Sequence, residues 1–129
     1  MKKLIIFFAT FLFSAQITFN NSLLIPSSLK EKFISYWQAR ANKEFYKTFN
    51  YEMPYLRYLY SKDWYEDFFS SSPRFKSIYV KNFECKGNIC FFTLLLKPKY
   101  SKDTIFYKDK WVKVDNTYYH RFNDLLLPR

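Results

Sequence analysis

Several groups of residues have types and spacings that could do chemistry. His120 is the only histidine, and imidazole is the side chain best suited to moving protons near neutral pH. Asp63, Glu66 and Asp67 lie three and four residues apart. A helix would bring them to one face, where paired carboxylates can do acid/base work. Cys85 and Cys90 are the only cysteines, and they flank the only glycine, Gly87, in the stretch ECKGNIC. A metal site, a redox switch and a stapled turn are the alternatives there. Trp37, Tyr55, Tyr58, Tyr60, Trp64, Tyr65 and Tyr79 combine apolar bodies with polar handles, which suits the wall of a pocket.

Each group has a plainer reading. A lone histidine among aromatics in a terminal strand is more often packed than catalytic. Trp64, Tyr65, Phe68 and Phe69 are the natural buried face of the helix that carries the three acids, so the acids form a solvated face. One histidine and two cysteines that pair leave too few ligands for a metal of the usual kind. The CxxxxC spacing is not the CxxC of redox motifs. A single glycine excludes a phosphate-cradling glycine loop. No cofactor is expected.

The elements that would position these residues can be read from the pattern. The chain has 129 residues and is 49% hydrophobic, which suits one domain with a real core. It opens with Lys2 and Lys3 and an apolar run over residues 4–13. That has the layout of a secretory signal peptide, with cleavage expected near Ala15, and an uncleaved membrane anchor is the alternative. A periplasmic or secreted location follows, and there two cysteines most simply form a disulfide. Residues 16–27 read as a linker, and residues 28–129 as a single domain.

In that domain Ser28 and Glu31 fit a capping box, and Leu29, Phe33, Ile34, Trp37 and Ala41 form one helical stripe. Asn42 reads as the N-cap of a second helix that ends at Pro54. Residues 55–60 are ambiguous. Ser61 reads as the cap of a short third helix. After Pro73 the texture changes to strands. RFKSIYVKNFEC puts Phe75, Tyr79 and Phe83 on one face, with Ile78 and Val80 on the other. CFFTLLL reads as a strand buried on both sides. Gly87-Asn88 fits a type II′ turn, which sets Cys85 opposite Cys90 at a separation that a disulfide can bridge. Asp115-Asn116 fits a second tight turn, which sets His120 opposite Trp111 and Lys113 opposite Tyr118. No acid reads as facing into the apolar side of a strand. The fold class is α+β: three N-terminal helices on one face of an antiparallel sheet.

The net charge is +10, and it is unevenly placed. Residues 73–129 carry 12 basic and 5 acidic residues, so, if those lysines share the outward face, the sheet half presents a cationic surface to anionic partners. Lysines interleaved with aromatics also suit nucleic acid. Export and the lack of a nucleic-acid motif argue against that; anionic lipid or another envelope component fits better, and a merely solvated basic face is the plainer reading still.

The plan of three helices, a Pro-Ser break and a sheet resembles the NTF2-like superfamily, with its SnoaL-like and ketosteroid-isomerase-like members. YWQARANKEFYKTFNYEMP resembles its first two helices and SKDWYEDFF its third. VKNFECKGNICFFTLLL resembles its central hairpin and DKWVKVDNTYYHRF its terminal one. The resemblance implies a cone that holds a small apolar ligand, with Trp37, Tyr55, Tyr58, Trp64, Tyr79 and His120 as candidate pocket residues. It also implies a homodimer through the sheet. The expected function is an exported, non-catalytic module that holds such a ligand or a protein partner in the cell envelope. The alternative is a lyase- or isomerase-like enzyme with a pocket carboxylate or His120 as general base.

Overall fold

The computed structural model describes residues 14–122. Of the expected signal peptide, all but Ser14 and Ala15 lies outside the described residues. In chain order the elements are β1 (Gln16–Phe19), α1 (Ser27–Ala41), α2 (Phe45–Thr48), a 3-10 turn (Phe49–Tyr51), α3 (Pro54–Leu59) and α4 (Lys62–Phe68). Then come β2 (Phe75–Lys86), β3 (Ile89–Pro98), β4 (Ile105–Val114) and β5 (Thr117–Arg121). The sheet order is β1-β2-β3-β4-β5. β1 pairs parallel with β2, and the other neighbours are antiparallel. The class is α+β, as expected, with a mixed open sheet. Among the described residues four helices are present where three were expected, because Pro54 opens a helix, α3, over most of the ambiguous stretch 55–60. The segment expected to be a linker instead begins with strand β1.

The helix boundaries show where local signals won and lost. Pro26 occupies the N-cap position of α1 and no side chain caps it, so Ser27 and Ser28 are helical and the expected capping box does not form. Asn42 closes α1 and does not open the next helix. Lys43 adopts φ 61°. The Lys43 amide donates to the Arg40 carbonyl and the Glu44 amide to the Ala39 carbonyl, which is a Schellman stop with a lysine in the left-handed position. Ser61 caps α4 as expected: its Oγ accepts from the Trp64 amide at 3.1 Å.

The hairpins follow their turn residues. Gly87 sits at φ 61° and Asn88 stays outside the positive region, while Asp115 and Asn116 are both positive. These are the torsions that type II′ and I′ hairpin turns demand. Cys85 pairs with Cys90, Trp111 with His120 and Lys113 with Tyr118. Cys85 and Cys90 form a disulfide across the hairpin.

Two expectations about strand faces are corrected. Register shifts between Phe75 and Ser77 and between Val80 and Asn82 mark bulges in β2. Each bulge flips the alternation, so Phe75 joins Ile78 and Val80 in the core while Tyr79 faces out. β3 is buried on one face only: Cys90, Phe92, Leu94 and Leu96 point in, and the residues between them are half-buried. Its runs of apolar residues conceal a two-faced strand.

α1 packs its stripe of Leu29, Phe33, Tyr36, Trp37 and Ala41 on the inner face of the sheet. Phe33 stacks on Phe92 with ring centroids 4.2 Å apart. A second cluster of Phe45, Leu56, Tyr65, Phe69 and Phe122 holds the short helices against the end of β5. Among the described residues no helix is long and apolar enough to cross a membrane.

Candidate functional site

The interior is built around a polar network. His120 lies on the inner face of β5, opposite Trp111. Asp109 is two residues before Trp111 in β4, so it shares that face, diagonal to the histidine. Glu52 comes from the segment after the 3-10 turn. That segment lies along β5: Glu52 forms an isolated bridge with His120, and the Met53 amide donates to the His120 carbonyl at 3.0 Å. Arg57 Nε, one turn into α3, donates to the Glu52 carbonyl and fixes the segment from the other side.

The imidazole bridges the two carboxylates. Nδ1 lies 2.8 Å from Glu52 Oε1 and Nε2 lies 2.7 Å from Asp109 Oδ1. The remaining carboxylate oxygens are also engaged. Glu52 Oε2 accepts from Tyr65 Oη at 2.6 Å and from Tyr36 Oη at 3.2 Å. Asp109 Oδ2 accepts from the indole nitrogens of Trp37 at 2.8 Å and Trp111 at 2.9 Å. Arg40 donates to Tyr36 Oη, and its guanidinium lies 4.5 Å from the Trp37 ring centroid. Glu52, Asp109 and His120 are each 0% exposed.

Burial opposes charge on His120. The two carboxylates and their hydrogen bonds outweigh it and raise the pKa to about 9. The ring is therefore an imidazolium at neutral pH and donates from both nitrogens. With Arg40 it balances the two carboxylates, and a buried charge needs such pairing and hydrogen bonding. Burial, and then the neighbouring Glu52 carboxylate, push the Tyr36 and Tyr65 hydroxyls well above their usual pKa, so both stay donors.

The candidate pocket residues do not converge. Trp37 and His120 are sealed in this network. Tyr58 is 90% exposed, on α3. Tyr55 and Trp64 are partly exposed on the short helices, with Trp64 stacked on Tyr60 and Phe68. Tyr79 is on the opposite, outer face of the sheet. Asp63 and Asp67 are exposed and Glu66 is half-buried, as the solvated-face reading expects. Among the described residues no cluster of His, Cys, Asp and Glu could hold a metal. Sequence reasoning missed both carboxylates. Asp109 was legible: alternation back from Trp111 places it on the face of His120. Glu52 carried no such signal, since a turn outside any strand delivers it.

An open concavity lies elsewhere. A groove of about 1550 Å³ runs between the end of α1, the starts of β1 and β2 and the end of β3. Lys47, Arg74, Lys76, Lys97 and Lys99 line it, with Glu44 as its acid. Gln38 also faces it; its Nε2 donates to the Ala15 carbonyl at 2.7 Å, and its buried Oε1 has no partner. None of Glu52, Asp109 and His120 lines the groove.

No family model matches the chain, and no curated protein matches it. Among solved structures the fold is similar to the solution structure of a SEC-C motif containing protein from Rhodopseudomonas palustris. The TM-score is 0.53 at 16% identity, over 70% of this chain and 72% of that one. At that identity the likeness concerns the fold alone. This result overturns the NTF2-like resemblance: the fold is similar to that of a SEC-C motif protein, and neither the family models nor the curated proteins support an NTF2-like assignment. Helices that cover one side of a sheet of antiparallel hairpins are common to many α+β folds. That pattern does not identify a superfamily.

Proposed function

We propose that this chain is an exported, non-catalytic interaction module that binds an anionic partner through the basic surface of its sheet half. The observation that carries the reading is the contrast between the two polar sites. Glu52, Asp109 and His120 are buried, paired with one another and hydrogen-bonded, which suits a structural role. Five basic side chains and one acid, Glu44, which pairs with Lys47 at 2.9 Å, line an open groove. Specific binding at such a surface is steered by charge and weakens with salt. The disulfide suits an oxidising compartment, and the basic, apolar leader supplies the route.

The test is a titration of the full chain with soluble polyphosphate at rising salt. The reading expects saturable binding that weakens as salt rises and that Arg74→Gln with Lys76→Gln reduces. Affinity that salt leaves unchanged would count against it. Mass spectrometry of the protein isolated from its native envelope tests export by reading the true N-terminus.

A further inference from the structure

α1 packs on the inner face of the sheet, and among the described residues no helix packs against the outer one. Cross-strand registry places Tyr79, Leu95 and Phe106 in one row of that face, then Asn82, Thr93 and Lys108, then Glu84, Phe91, Lys110 and Arg121. Phe106 is 64% exposed and Tyr79 37%. The lysines lie over these rings: Lys108 Nζ is 4.8 Å and Lys110 Nζ 5.8 Å from the Phe91 centroid, and Lys81 Nζ is 5.8 Å from that of Phe106. Within these rows Glu84 is the one acid, and it meets Lys108 only at 3.9 Å.

We propose that this outer face docks on the surface of an anionic lipid bilayer. The inference rests on the anionic-partner reading above and names a bilayer as the partner of a second basic surface of the sheet half, apart from the groove. Charge complementarity argues for it. Lys110 and Arg121 are directly opposite across the β4–β5 pair, and like charges in that relation destabilise a sheet. Partial burial and then Arg121 lower the pKa of Lys110. The rows carry Lys108, Lys110 and Arg121 against Glu84, a balance that attracts an anionic surface and repels a second copy of the same face. A bilayer also fits the apolar content. Exposed phenylalanine and tyrosine enter the headgroup boundary while lysine stems lie along apolar surface and keep their ammonium groups at the phosphates. The three rows are a continuous sheet surface and do not line the groove, so they offer no cleft for an extended peptide.

The experiment is vesicle co-sedimentation of the full chain with phosphatidylcholine vesicles, with and without phosphatidylglycerol. A lysine at an anionic surface contributes about 5-fold in affinity, so Lys108→Gln with Lys110→Gln should weaken binding roughly 30-fold. Phe106→Ser should weaken it further, with the urea midpoint of each variant confirming its fold. Lys30→Gln with Lys62→Gln, on the helical side, removes the same charge and should change binding less than about 3-fold. The apolar leader is common to all variants, so the difference between the two pairs isolates the face. Equal loss from both pairs, or a dimer broken by the Lys108/Lys110 pair, would overturn the proposal. Loss from Arg74→Gln with Lys76→Gln alone would overturn it too, but leave the anionic-partner reading standing. No binding to anionic vesicles or polyphosphate would overturn both.

Discussion

Raising the pH from 6 to 9.5 should destabilise the protein by releasing one proton from its core. His120 is the only histidine, and the fold holds its pKa at about 9 against about 6.5 in an unfolded chain. The folded value is raised, so the stabilisation is fully present below pH 6.5. It is lost as pH rises through 9. A shift of about 2.5 pH units corresponds to about 3 kcal/mol, a large part of the 5–15 kcal/mol typical of a domain. The melting temperature should fall by roughly 10 °C over that interval. Tyr36, Tyr65 and Tyr107 are raised in the fold and add to the slope only as unfolded tyrosines begin to ionise toward about pH 10, so below about pH 9 the slope belongs to the histidine. Urea unfolding followed by tryptophan fluorescence at several pH values measures it, as a falling midpoint at constant m. Glu52→Gln should flatten the slope, because one of the two carboxylates that hold the proton is gone. A stability that is flat or rising between pH 6.5 and 9 would refute the imidazolium and the network drawn around it.

Asp109→Asn should cost about 3–5 kcal/mol, the usual cost of removing one partner from a buried ion pair, and urea midpoints will read it. Cys85→Ser with Cys90→Ser should cost only about 2 kcal/mol, since the closed loop is short, and circular dichroism should show the sheet intact. Gly87→Ala should cost about 1–2 kcal/mol from its positive φ alone, because no atom lies within 4 Å of an added Cβ. Tyr58→Ala should leave the melting temperature within about 0.5 kcal/mol equivalent of wild type, since the side chain is 90% exposed.

What the sequence disclosed depended on how local the cause was. Gly87-Asn88 and Asp115-Asn116 dictate their turns by backbone torsion, so both hairpins and the pairs Cys85–Cys90 and Trp111–His120 could be read in advance. Ser61 declared its helix for the same reason. The faces of β2 could not be read, because the two bulges flip its alternation and neither has a sequence mark. β1 was hidden because a four-residue strand on a sheet edge is defined by its partner, β2, more than 50 residues away. The polar network was half visible. His120 and Asp109 follow from strand alternation, whereas Glu52 arrives through a chain reversal that only tertiary packing fixes. The aromatic residues that suggested a pocket scattered over several surfaces because their apolar character is spent on separate clusters.

The most direct test of the division between a structural core and a binding surface is a single NMR titration of the full chain with soluble polyphosphate. The amides of Lys76, Lys97, Lys99 and Lys110 should shift, while the ring resonances of His120 stay where they are. Movement of the His120 ring, with the basic strands unaffected, would place the binding site in the core and contradict the account.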